Sequence, residues 1–222
     1  MRFLFKALLV LAVIGLLAYY PLVLHSPVPG DEPYVLDIDK VRALATSRPG
    51  PLPIAIHTEK VAEFEFAEAM VMAGEPWQAT AIPIYSYQLV FPGSSIIVDT
   101  AVSSTEGVPG FMVRGFDEAA YQRMSQAMKK ASHIVITHEH FDHIAGIFDH
   151  PELELIMPAV LLTTEQMAYP DRMKPAEIPQ DMFVHYKPLE YEGMHALAPG
   201  VVLIKAPGHT PGSQMVYVRL AN

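Results

Sequence analysis

The chain contains no cysteine. Disulfides, thiolate zinc sites, iron–sulfur clusters, thiol catalysis and a cysteine-linked lipid are therefore excluded. Charge is also sparse. Charged residues make up 18% of the 222, and the net charge is −9. An acidic chain of this kind is a poor match for a phosphate backbone, so a nucleic-acid partner is not expected. Gly-x-Gly-x-x-Gly, P-loop and Gly-x-Ser-x-Gly motifs are missing, and no internal repeat is present. What the chain has in quantity is apolar residues, at 51%. That excludes general disorder, and the length suits one domain with a real core.

The N-terminus reads as a membrane signal. Ala7 to Leu24 carry no charge, with Arg2 and Lys6 before them and Asp31, Glu32, Asp37 and Asp39 after. Eighteen helical residues span about 27 Å, close to a bilayer's hydrocarbon core. The charge asymmetry favours export of the downstream chain. The expectation is an uncleaved anchor through residues 7–24, or a signal peptide within residues 1–30, with the remainder periplasmic or extracellular. Six prolines between Ser26 and Pro53 suggest a linker over residues 31–55, holding a short amphipathic helix at Ile38 to Ala45.

The remainder, residues 56–222, reads as layered α/β structure. Thr80 to Phe91 and Ser95 to Asp99 are rich in β-branched and aromatic residues around Pro92-Gly93-Ser94, which predicts a hairpin. Asp117 is placed to cap a helix running to Lys130, with Tyr121, Met124 and Met128 on one buried face. His133 to Thr137 reads as a short buried strand, and Val201 to Lys205 and Gln214 to Leu220 as two more. Prolines between 158 and 199 predict short pieces. Tyr85, Tyr87, Phe141, Tyr169 and Trp77 could line a pocket but are read as core or surface packing.

Histidine carries the chemical information. Five of the ten fall between residues 133 and 150. The run Thr137-His138-Glu139-His140-Phe141-Asp142-His143 directly follows a buried strand. In an extended stretch His138 and His140 point the same way, so both can reach one ion. Asp142 and His143 lie past the bend and could serve a second. Glu139 points away from its neighbours, towards solvent or a supporting partner. Further on, Pro207-Gly208-His209-Thr210-Pro211-Gly212 sets another imidazole in a turn with a fixed backbone. His133, His150, His185 and His195 stand apart from any such pattern.

His-x-His-x-Asp-His after an apolar strand, followed by Pro-Gly-His-Thr-Pro-Gly, resembles the metallo-β-lactamase superfamily over roughly Ile82 to Leu220. Asp99 in Ile-Val-Asp-Thr is similar to the family's buried aspartate, although a glycine usual just after it is Ala101 here. The resemblance implies an αβ/βα sandwich. It implies one zinc ion on His138, His140 and His209 and part of a second site at Asp142 and His143. Asp142 would also orient the nucleophile, and Asp99 would support the ligand loop without touching metal. A metal-bound hydroxide would attack an ester, lactone, thioester or lactam carbonyl of a small-molecule substrate. Lactonase, glyoxalase II and lactamase branches share this form of the motif, and a lactone is the leading expectation. Iron in place of zinc, with oxygen chemistry, is the alternative. The family's bridging aspartate and last histidine find no counterpart before Asn222, so the second half reads as incomplete. A truncated, inactive metal-binding product is the third possibility.

Overall fold

The computed structural model describes residues 2–19, 34–72, 74–176, 178 and 182–221. They fall into two compact units, one made of the described residues up to Leu36 with Glu65–Thr80, the other of Asp37–Phe64 with Ala81 onward. In chain order the helices are α1 (Arg2–Tyr19), α2 (Ile38–Ala45), α3 (Glu68–Val71), α4 (Glu118–Met128), α5 (Phe141–Phe148), α6 (Leu153–Ile156) and α7 (Thr164–Met167). The strands are β1 (Ala55–Ala67), β2 (Ala79–Phe91), β3 (Ser94–Val98), β4 (Val113–Phe116), β5 (His133–Val135), β6 (Val160–Leu161), β7 (Met194–Ala198), β8 (Val201–Lys205) and β9 (Gln214–Val218).

In the first unit, α1 is apolar on all sides, with Phe3, Leu4, Leu16 and Leu17 exposed. Among the described residues no helix is long and apolar enough to cross a membrane. The described residues cover the expected span over residues 7–24 only as far as Tyr19. The described helix starts at Arg2 and includes Lys6, so its uncharged part is Ala7–Tyr19. Residues 20–24 of the expected span, and the expected cleavage region, lie outside the described residues. Within the same unit α3 is held by amide bonds from Glu68 to Gln78 O at 2.9 Å and from Ala69 to Pro76 O at 3.0 Å.

The second unit is a mixed α/β structure built on two sheets. One is six-stranded, in the order β4-β1-β2-β3-β5-β6; the other is β7-β8-β9. The predicted hairpin is present, with β2 and β3 antiparallel from Tyr87↔Val98 to Phe91↔Ser94. β5 then runs parallel to β3, Ile96 opposite His133 and Val98 opposite Val135. The crossover between them contains α4, which begins where expected: the Ala120 amide donates to Asp117 Oδ1 at 2.9 Å. Tyr121, Met124 and Met128 are buried on its inner face.

Strand alternation explains the layering. Leu89, Phe91, Ile96, Val98 and Val135 from the larger sheet meet Leu197, Val201 and Leu203 from the smaller. On the opposite face of the smaller sheet, Val202 and Ile204 pack on Val41 and Ala45 of α2. The segment expected to be a linker therefore supplies an outer layer of this unit from Asp37 onward. In the larger sheet Ile97 and Ile134 face away from the inter-sheet core and are fully buried, as are Ile144 and Ile147 of α5. The arrangement is consistent with helices outside two packed sheets.

α5 comes unusually near the chain leaving β3. A Cβ on Gly146 would stand 2.1 Å from the Thr100 carbonyl oxygen. Glycine is the residue that permits this approach, and through it the N-terminal end of α5 reaches the loops that leave β3 and β5.

Candidate metal centre

β3 and β5 are parallel neighbours, so both deliver their carboxyl ends to one edge of the sheet. Open α/β sheets form crevices at such edges. Asp99 follows β3 immediately and Thr137-His138 closely follows β5. Asp99 has φ of +59°, a left-handed conformation that aspartate tolerates better than most residues. Ala101, where the resemblance gives glycine, has φ of +50°.

The buried Asp99 carboxylate accepts three hydrogen bonds. Oδ1 takes the Thr137 amide at 2.6 Å, and Oδ2 takes the Thr137 hydroxyl and His143 Nδ1–H, both at 2.8 Å. The bond to His143 fixes the tautomer of that ring and leaves Nε2 bare. Nε2 lies 3.5 Å from Asp142 Oδ2, in the first turn of α5. Burial pulls His143 down, but the Asp99 bond and the charges of Asp99 and Asp142 outweigh it and raise the ring's basicity.

His138, His140 and His209 converge. Their candidate ligand nitrogens all lie within 4.8 Å of one another. His209 Nε2 is 3.1 Å from His140 Nδ1. The His143 ring centre is 4.0 Å from that of His138. His138 is pushed down to about 2, first by burial and then by the three neighbouring histidines. His140 is also lowered, by burial and by His209. Both rings are therefore neutral near pH 7 and keep a lone pair for a cation.

The donor set fits a divalent ion of the zinc kind: neutral imidazoles with carboxylates close by. A second observation agrees. Asp99 is 3% exposed and Glu139 is 0% exposed. Among the described residues neither pairs with a lysine or arginine. Two buried carboxylates beside a cluster of imidazoles, neither carboxylate paired with a lysine or arginine, suit a cation at this point.

The structure thus brings His138, His140 and His209 into one cluster and places Asp142, His143 and Asp99 against it. Glu139 differs from one half of its expected alternatives: it does not face solvent. Oε2 accepts the Thr210 hydroxyl at 2.7 Å, and Oε1 takes the Gly212 amide at 3.4 Å. Among the described residues, His133, His150 and His195 do not join the cluster. His150 is buried, bonded to Ser125 Oγ at 2.9 Å and accepting the Glu152 amide at 3.0 Å. His133 lies in β5 and His195 in β7, and both are lowered by burial first and then by Arg48.

Supporting residues not singled out by the sequence are Thr137, Gln166 and Gln214. Gln166 Nε2 donates to Ile136 O at 2.8 Å and to Gly212 O at 3.1 Å, joining the segments that carry His138 and His209. Gln214 Nε2 donates to Ile136 O at 2.7 Å. Glutamines at such separations give no local signal. The one available cue is the capping box at Thr163 and Gln166. A cleft of about 380 Å³ runs along α5, lined by Val102, Phe141, Ala145, Asp149 and Pro175. It touches the metal-centre run only through Phe141.

The model of the family described as metallo-beta-lactamase superfamily matches residues 79–222. No curated protein matches the chain. Solved structures of similar fold include a probable metal-dependent hydrolase from Staphylococcus aureus, 15% identical over 78% of this chain and 71% of that one, with a TM-score of 0.59. Another is an N-acyl homoserine lactone hydrolase holding N-hexanoyl-L-homoserine at its catalytic metal centre, 19% identical over 77% and 72%, with a TM-score of 0.57. A third is a variant of B. thuringiensis AiiA with N-decanoyl-L-homoserine at its active site, with the same identity, coverage and score. At these identities the likeness is one of fold.

Proposed function

Because the chain belongs to the metallo-β-lactamase superfamily, a hydrolase fold, we propose that it is a zinc-dependent hydrolase that opens a lactone or related acyl bond in a small molecule. The observation that carries this reading is the convergence of His138, His140 and His209 with Asp142 and His143 at one sheet edge. The homoserine lactone hydrolases of similar fold support the choice of a lactone.

His138, His140 and His209 would hold one ion, and His143 Nε2 with Asp142 part of a second. When bound, the metal supplies an activated water and a Lewis acid for the scissile carbonyl oxygen. The chain's own residues do the remaining work. Burial keeps His138 and His140 unprotonated, so they are ready to bind without first losing a proton. Asp99 holds the His143 proton on Nδ1. Asp142 is partly exposed at the mouth of the site. Its carboxylate takes the proton of the attacking water at Oδ2 and passes it to the leaving oxygen. The cleft beginning at Phe141 gives room for the part of the substrate remote from the reacting bond.

The test is a hydrolysis panel with the zinc-loaded chain: an N-acyl homoserine lactone, a simple γ-lactone, an aryl ester, a thioester, a chromogenic β-lactam and a phosphodiester. The expected result is a kcat/KM for a lactone at least about tenfold above the others, abolished by a chelator. Phosphodiester cleavage without acyl turnover would overturn the reading. So would iron in the purified protein together with oxygen uptake.

A further inference from the structure

Glu139 stands between two proposed ligands, and strand-like alternation turns its side chain away from both. It has no exposed surface. Its carboxylate reaches across to a turn 71 residues further along the chain, where Oε2 accepts the Thr210 hydroxyl. That hydroxyl has one proton, and the carboxylate receives it. The Ser213 hydroxyl, 2.9 Å from Thr210 Oγ1, must then be the donor in the next bond. The Thr210 amide closes the turn on Ser213 Oγ at 3.0 Å. Gly212 completes the fit, because a Cβ there would lie 2.5 Å from Glu139 Oε2 and 2.5 Å from Gln166 Cγ. His209 itself is exposed and lies outside any helix or strand. Its neighbour Thr210, 1% exposed, is what anchors it.

We propose that Glu139 is a positioning residue: by clasping Thr210 it holds His209 at the separation from His138 and His140 that a single ion requires. The inference rests on the proposed metal centre, but its test needs no turnover. Glu139 acts through the backbone beside His209 and not on the ring; groups that orient a metal ligand are worth about 10–100-fold in metal affinity.

The experiment compares the full chain with Glu139→Gln, Glu139→Met and Thr210→Val. Affinity for cobalt(II) is measured by competition with a chelator, and the visible spectrum reports coordination number. Gln keeps an oxygen that accepts from Thr210, whereas Met fills similar volume and accepts nothing. The expected result is an affinity loss of about 10–100-fold in the Met and Val variants, with a lower-coordinate spectrum, and recovery of most of it in the Gln variant. Equal behaviour of Gln and Met would overturn the clasp. If Met prevents folding, the near-isosteric Val variant decides, and wild-type affinity there refutes the proposal. A wild-type chain that binds no ion would refute the metal centre instead. Amide exchange at positions 210 and 212 in the ion-free chain then decides the clasp: faster in the Met and Val variants but not in the Gln variant supports it, and unchanged exchange refutes it.

Discussion

Replacing Asp99 by Asn changes one oxygen for an amide nitrogen and removes a charge, while keeping shape and tolerance of the left-handed backbone. The oxygen that remains can still accept the Thr137 amide. The new NH2 faces the Thr137 hydroxyl and His143 Nδ1, both 2.8 Å from the present oxygen. The hydroxyl can turn and accept. The imidazole must move its proton from Nδ1 to Nε2. All three charge-assisted bonds, about 1.5–3 kcal/mol each, become neutral ones of about 0.5–1.5 kcal/mol, and the preferred tautomer is lost. The expected destabilisation is about 2–4 kcal/mol. Asp99→Ala should lose more, because alanine at φ of +59° adds about 1–2 kcal/mol and leaves three donors unmatched. Urea unfolding followed by circular dichroism, with chelator present, isolates this from metal binding. An Asn variant within about 0.5 kcal/mol of the parent would refute the reasoning, as would an Ala variant more stable than Asn.

Three further outcomes are expected. His140→Ala should remove the ion from the three-histidine cluster and abolish any hydrolysis, and metal analysis of the purified variant reads this directly. Gly146→Ala should destabilise by about 3 kcal/mol, since its Cβ has nowhere to go beside Thr100; a melting temperature equal to the parent's would contradict that. His133 and His195 are both held below their ordinary basicity in the folded chain, mainly by burial. The unfolded chain therefore takes up protons first, so ion-free stability should fall as the pH drops below about 6.5. The double variant to Asn should show a shallower fall in the same denaturation series, and an unchanged slope would count against it.

Elements with strong local signals were legible from the residues alone. The hairpin around Pro92-Gly93, the Asp117-capped helix and the β8–β9 pair all follow from period, cap and turn chemistry. The histidine run was legible because its donors are close in sequence. α5 was not legible as a helix. It has eight residues and no side-chain cap, and the burial of Ile144 and Ile147 stabilises it rather than propensity. β1 was hidden because Glu and Lys interrupt its apolar residues. The docking of α2 and the burial of Glu139 each depend on partners far along the chain, Val202 and Ile204 for one and Thr210 for the other. The span expected over residues 7–24 lies within the described residues only as the helical stretch Ala7–Tyr19.

The 69-residue separation of His140 and His209 has a consequence for the order of assembly. A ribosome adding about 5–20 residues per second makes His138 and His140 seconds before His209 exists. During that interval the nascent chain offers two imidazoles, too few to grip an ion firmly. Closing a loop of this length costs about 4 kcal/mol of chain entropy, and packing of the two sheets must supply that before the third imidazole arrives. An ion captured afterwards would act as a late cross-link between the sheets. At a free concentration about a hundredfold above its dissociation constant it would add about 2.7 kcal/mol. Metal supply would then set how long the finished chain survives, as well as whether it can react.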